Sequence, residues 1–132
     1  MRAGFLQYDV THDVNANFNY AASILSKEDC GLLVLPELSM CGYLFQSRAA
    51  LGACAEAVPA GAATQRMLLL SKTHSCTIIF GIAEKENENI YNTAVLVSKG
   101  RYIGKYRKIH LSDFEKSCLT GEAKIRFLMW MG

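Results

Sequence analysis

The sequence predicts an α/β fold. Three observations carry that expectation. Strand-like and helix-like segments alternate along the chain, and the apolar run Leu32-Leu33-Val34-Leu35 stops at Pro36. A second apolar run, Thr77–Ala83, reads as another buried strand.

The elements follow in order. Arg2–Tyr8 reads as a first strand with Phe5 and Leu6 in its middle. Asp13 is a helix N-cap, and Val14, Phe18, Ala21 and Leu25 follow at helical spacing on one face. That helix is expected to end near Cys30–Gly31, where glycine supplies a left-handed cap. Leu32–Leu35 is a strand covered on both faces, terminated by Pro36. Small and polar residues make Glu37–Pro59 a loop with a short helix, and Ala62–His74 a second helix with Ala63, Met67 and Leu70 along one face. After Thr77–Ala83 comes a polar turn, Glu84–Asn89. Asn92–Val97 and Arg101–Tyr106 then form a hairpin closed around Lys99-Gly100, with glycine where positive φ is tolerated. Arg107–Gly121 is polar and turn-rich. The apolar run Ile125–Trp130 reads either as a docked terminal strand or as an element interrupted part way.

Composition narrows the function classes. A chain of 132 residues is one domain, and it buries roughly two-thirds of its unfolded surface. Apolar residues make up 51% and charged residues 20%, which excludes a disordered tail. Fourteen basic against twelve acidic residues leave +2, too weak a field to imply nucleic acid or an anionic membrane as partner. No window reaches the length of a membrane span, and the first ten residues lack a signal peptide's apolar core. The five cysteines are odd in number and form no CxxC pair, so reduced thiols in the cytoplasm are expected. The three histidines stand far apart and near no cysteine cluster, so no metal is expected. GxGxxG, GxxxxGK[ST] and GxSxG are all absent, so nucleotide binding and serine hydrolysis have no motif behind them and no cofactor is expected.

Three places carry candidate chemistry. Glu37 follows the Leu32–Leu35 strand, and ligands in α/β folds bind beyond such strand ends. Partial desolvation there suits a carboxylate to proton transfer, while a salt bridge or cap is the plainer alternative. Lys105–Leu111 gathers basic groups at the end of the hairpin, as an anion site or a solvated strand end. Alternation puts Tyr106, Lys108 and His110 on one face and Arg107 and Ile109 on the other, so Lys108 is placed to point inward at a developing oxyanion. Glu115, in Phe114-Glu115-Lys116, is the third candidate.

Taken together these segments resemble the nitrilase superfamily, the carbon–nitrogen hydrolases. Leu33-Val34-Leu35-Pro36-Glu37-Leu38 with Gly42-Tyr43 is similar to the strand bearing the family's catalytic Glu. Tyr91-Asn92-Thr93-Ala94 and Gly104–Leu111 resemble the hairpin and catalytic-Lys segment, and Phe114-Glu115 with Gly121 the stretch holding a second Glu, about one residue shorter here. The resemblance implies an α-β-β-α sandwich, here roughly its N-terminal half, so that residues 1–132 are a partial carbon–nitrogen hydrolase domain. It also implies a Glu–Lys–Cys triad acting on a small-molecule amide or nitrile, in an assembly that is a homo-oligomer. Glu37, Lys108 and Glu115 are then catalytic, and Tyr43 is substrate-binding. The departure is the nucleophile. In the family it lies well downstream of the Lys, and none of the five cysteines here matches its motif. An inactive half-enzyme, a non-catalytic interaction or scaffold subunit, and a small ligand-binding domain are the three functional expectations.

Overall fold

The computed structural model describes residues 1–123, and the apolar run Ile125–Trp130 lies outside them. The elements are β1 (Ala3–Phe5), α1 (Val14–Leu25), β2 (Leu32–Val34), α2 (Arg48–Cys54), α3 (Ala62–Thr73), β3 (Thr77–Glu86), β4 (Asn89–Ser98), β5 (Arg101–Arg107) and α4 (Asp113–Lys116). The five strands form one sheet in sequence order, with β1, β2 and β3 parallel and β3, β4 and β5 antiparallel.

Local signals explain most of these elements. Asp13 caps α1, its carboxylate accepting from the Asn15 and Ala16 amides at 2.8 and 3.1 Å. Ala21 and Leu25 of α1 and Ala63 and Met67 of α3 pack with Leu33, Ile78, Phe80, Val95 and Val97 into the main core, on one face of the sheet. The β4–β5 hairpin closes at Lys99 and Gly100, at φ 48° and 80°, the pairing that matches strand twist.

Four expectations change. α1 ends at Leu25, with Ser26 as its C-cap in a right-handed conformation, rather than near Cys30–Gly31 with a left-handed glycine. β1 is shorter than Arg2–Tyr8, although Leu6 still donates to the Val34 carbonyl at 2.9 Å. Phe5, expected at the middle of the strand, is its last residue and is 82% exposed. The polar turn at Glu84–Asn89 shrinks to Asn87 and Glu88, because Glu84–Glu86 continue β3 and Asn89 opens β4 opposite Glu86. Glu84 tolerates the sheet because its charge is paired there. Only 1% exposed, it accepts from Thr93 Oγ1 at 2.8 Å, Arg107 Nε at 2.9 Å and Lys105 Nζ. Burial pushes its carboxyl up, but the bonds from Arg107, Lys105 and Thr93 outweigh that and hold it low.

The opposite sheet face is occupied at its hairpin end by a second cluster of Leu38, Cys41, Leu51, Ala83, Ile90 and Leu119. Between the two clusters the chain after β2 crosses over Gly81. A Cβ on Gly81 would lie 2.8 Å from the Glu37 carbonyl carbon and 2.8 Å from the Pro36 oxygen, and closer still to the Leu38 nitrogen. Ser39 stitches the crossing, its Oγ donating to the Gly81 carbonyl (3.1 Å) and accepting from the Gly81 amide (3.0 Å).

Gly81→Ala is therefore expected to destabilise the fold by ~2 kcal/mol or more, because backbone rather than a flexible side chain must give way. Gly52→Ala, within α2, meets only Ile90 Cδ1 at 3.5 Å and is expected to be neutral or to stabilise by up to ~1 kcal/mol. Urea unfolding of the two variants side by side checks the contrast.

Candidate active site

Glu37 leaves the crossing under local strain. Leu38, the next residue, has φ 46°, a left-handed conformation that costs a bulky side chain of order 1 kcal/mol. Its carbonyl compensates by accepting from the Cys41 and Gly42 amides at 3.0 and 2.8 Å. The turn aims the Glu37 side chain at Lys108, one residue past β5. Lys108 is itself fixed by its backbone amide, which donates to the Asn92 carbonyl at 2.8 Å. Glu115 stands at the third position of α4, where a reciprocal capping box holds it. Its Oε2 accepts from the Ser112 amide (2.8 Å), and its own amide donates to Ser112 Oγ (3.4 Å).

These three side chains converge. Lys108 Nζ lies 2.9 Å from Glu37 Oε1 and 2.9 and 3.1 Å from Glu115 Oε1 and Oε2. Asn92 Nδ2 donates to the same two oxygens, Glu37 Oε1 at 2.8 Å and Glu115 Oε1 at 3.2 Å. The carboxylates are thereby distinguished. Both oxygens of Glu115 are engaged, whereas Glu37 uses only Oε1, and among the described residues its Oε2 accepts no hydrogen bond. The Glu37 side chain, expected to be partly desolvated, is 42% exposed.

Charge follows the geometry. The bonds to Glu37 and then Glu115 raise the Lys108 ammonium above its ordinary value. Burial pushes Glu115 up, but Lys108, Ser112 and Asn92 together bring it down to about 2. Lys108 is thus an ammonium and Glu115 a carboxylate throughout the neutral range.

Glu37 and Lys108 also form the shared wall of two clefts. One, of about 390 Å³, lies over the sheet against Val34, Ile79, Ala94 and Tyr106. The other, about 360 Å³, is bounded by Tyr43, Phe45, Phe114, Glu115 and Cys118. Tyr43, expected to bind substrate, reaches this cleft but spends its hydroxyl on the Glu37 carbonyl at 2.5 Å. Burial and the nearby Glu37 charge raise that phenol.

The expected anion site at Lys105–Leu111 divides between the two faces. Tyr106 and Lys108 share a cleft as the alternation predicts, while Lys105 and Arg107 bind Glu84 on the other face. His110 is exposed. Asn92 and Ser112 escaped the sequence reading. Ser112-x-x-Glu115 is a capping-box pattern that announces the latter, whereas Asn92 has no local signal beyond its place in Tyr91-Asn92-Thr93-Ala94.

Fold and site define a one-sheet α/β protein with an ammonium held between two carboxylates at the strand ends. The chain belongs to the carbon–nitrogen hydrolase family, whose family model matches residues 2–126. It is 38% identical over 103 residues to a nitrilase of Pyrococcus abyssi, covering 76% of this chain and 39% of that protein. It is 28% identical to an (R)-stereoselective amidase of a Pseudomonas species, over 99% of this chain and 44% of that one. The crystal structure of an N-terminal amidase superposes with a TM-score of 0.82 at 24% identity, over 91% of this chain and 31% of that one, which establishes the shared fold. The chain thus spans less than half the length of these relatives. Among the described residues no helix is long and apolar enough to cross a membrane, and no group of side chains is arranged to hold a metal ion.

The lowered Glu115 carboxyl makes a pH prediction. Because it titrates at about 2 in the folded chain, below the ordinary 4.5, its stabilisation is complete above 4.5 and is lost as pH falls toward 2, a contribution of ~3 kcal/mol at most. Glu115→Gln is expected to flatten that part of the acid limb in urea unfolding measured from pH 6 to pH 2.

Proposed function

We propose that the chain contributes the Glu–Lys–Glu part of a carbon–nitrogen hydrolase site that cleaves a non-peptide amide or nitrile. The observation that supports this reading is the single Lys108 Nζ placed 2.9 Å from carboxylate oxygens of both Glu37 and Glu115, in a chain of this family.

The division of labour follows from the oxygens. Glu37, anchored through Oε1, keeps Oε2 for a proton, so it is the general base and acid. Lys108 stays protonated and holds the negative charge that develops on the substrate oxygen or nitrogen. Glu115, with both oxygens engaged, keeps the ammonium charged and oriented. Tyr43 borders the substrate cleft and braces Glu37 through the backbone. The nucleophile is a cysteine thiolate from outside residues 1–132. With an amide it attacks the carbonyl carbon, Glu37 carries its proton to the nitrogen, the C–N bond breaks to leave a thioester, and water that Glu37 deprotonates hydrolyses that thioester. A nitrile first forms a thioimidate, which takes up one water before ammonia leaves and the same thioester remains. Cys118, the thiol bordering the second cleft, is 7% exposed and turns its sulfur to Ser117 Oγ at 3.5 Å and the Phe45 carbonyl at 4.0 Å, an arrangement that supports a bystander role. The share of its relatives' length that the chain spans is in keeping with residues 1–132 being part of a carbon–nitrogen hydrolase domain.

One observation favours a second reading, a non-catalytic subunit of a homo-oligomer. Phe5 is 82% exposed on the same sheet face as the half-buried Val34 and Ile79, an apolar surface suited to another layer. All five cysteines are free thiols, in keeping with a reducing, cytoplasmic setting.

The test joins this chain to the C-terminal part of the Pyrococcus abyssi nitrilase and follows ammonia release from a panel of amides and nitriles. The isolated chain is expected to release none. The hybrid is expected to hydrolyse at least one compound, with kcat falling ~10³-fold or more in Glu37→Gln and Lys108→Ala. Turnover by the isolated chain that disappears in Glu37→Gln would overturn the external nucleophile. Hybrid turnover indifferent to both substitutions would overturn the assigned roles.

A further inference from the structure

We infer that Asn92 is the positioning residue of this cluster, a neutral clamp that holds both carboxylates and the lysine in one geometry. The inference rests on the roles proposed above for Glu37, Lys108 and Glu115, but its physical content is separable from them. Four groups close a ring in which donors and acceptors alternate. Lys108 Nζ and Asn92 Nδ2 are the donors, and Glu37 Oε1 and Glu115 Oε1 each accept from both. The orientation of the Asn92 amide is forced, because both facing atoms are carboxylate oxygens and only the NH₂ end has protons to give. The same residue holds Lys108 through its backbone, accepting the Lys108 amide at 2.8 Å.

Rigidity comes from where Asn92 sits. It is 4% exposed in β4, paired with Ala83 of β3 and followed by Thr93, which pairs with Arg107 of β5. The clamp is therefore mounted on a strand with neighbours on both sides, while Glu37, Lys108 and Glu115 all lie on connections or at a short helix start. Two carboxylates drawn to one ammonium repel each other across it. A second donor between them offsets that repulsion without adding charge, which leaves the ammonium the only cation available to a developing anion. Aspartate at this position has the same shape and the opposite effect, since it presents a third acceptor.

Side-chain NMR of the full chain tests this without recourse to turnover. In the unmutated chain the two Asn92 side-chain amide resonances are expected to move as Glu115 titrates, mostly below about pH 3.5 with a midpoint of about 2. Flat amide shifts over a range in which the Glu115 carboxyl carbon moves would overturn the inference. In Asn92→Ala the Glu115 midpoint is expected to rise by roughly 0.5 on the pH scale, and in Asn92→Asp by more than in Asn92→Ala. Thr93→Val, next in the strand but bonded to Glu84 on the other face, is expected to lower Tm while leaving the Glu115 midpoint in place. That separates positioning from general destabilisation. A Glu115 midpoint unchanged in a folded Asn92 variant overturns the clamp whatever the hybrid enzyme does. A moved midpoint, with hybrid turnover indifferent to Glu37→Gln, supports the clamp and overturns the catalytic reading.

Discussion

The close passage of Pro36–Leu38 over Gly81 is the contact on which the rest of the molecule depends. A parallel strand delivers its chain to one end of the sheet and normally hands it to a helix or loop away from the next strand. Here the chain turns across the face of β3 at backbone-to-backbone distance, a path open only because position 81 has no side chain. Ser39 then returns both hydrogen bonds to Gly81, so the turn is tied to the middle of a ten-residue strand rather than left to move as a loop. Glu37 lies on the approach to that tie. Its carboxylate is exposed enough to meet a substrate, yet its backbone is among the most constrained in the chain.

The sheet also separates two sets of charges that would otherwise interfere. From Gly104 to Lys108, past a bulge in β5, alternate side chains point to opposite faces. Lys105 and Arg107 go to the helix-covered side and Tyr106 and Lys108 to the other. On the covered side Glu84 pairs with Lys105 and Arg107, and Glu86 and Glu122 supply further carboxylates to Arg107, whose guanidinium stacks 3.9 Å from the Tyr91 ring centre. On the open side Lys108 meets Glu37 and Glu115. Strict alternation keeps Arg107 from competing for Glu37, and the buried network pins the β3, β4 and β5 ends at the depth that brings Asn92 beside Lys108. Removing one partner of the Glu84 network would strand a buried charge, so it specifies the register of β5 more than it adds net stability.

Much of this architecture was legible because its signals are local. Asp13 announces a helix start, Pro36 a strand end, and Lys99-Gly100 a tight turn, each through the backbone preferences of one or two residues. Two of the failures share one cause. Glu84, Lys85 and Glu86 look like a solvated turn unless Arg107 and Lys105, about twenty residues later, are known to fold back onto Glu84. Arg107 looked available for an anion site for the same reason. In the site, Glu37, Lys108 and Glu115 were recognised through their motif context, but that they meet at one ammonium is a tertiary fact. Glu37 was expected to be partly desolvated on the strength of its strand end. The crossing leaves its side chain 42% exposed, which bounds that desolvation. Asn92 was invisible because an asparagine in a strand announces nothing until both its neighbours prove to be carboxylates.

The charge balance of the cluster bears on what it can receive. Two carboxylates and one ammonium leave a net negative charge facing the clefts, so an anionic group brought to the same point is repelled while a neutral amide or nitrile is not. Charge on the substrate must then appear only as the reaction proceeds. The ammonium, already shared by two carboxylates, favours that new charge most when Glu37 becomes neutral. In the proposed chemistry this happens at the same moment, since Glu37 takes the thiol proton as the thiolate attacks. Protonating Glu37 releases one of the anions competing for Lys108, and the lysine's attraction passes to the developing charge without moving. Glu115, too acidic to take a proton at neutral pH, keeps the ammonium in place throughout. In that proposed chemistry the arrangement would stabilise the transition state over the bound substrate by a proton transfer that the reaction itself requires.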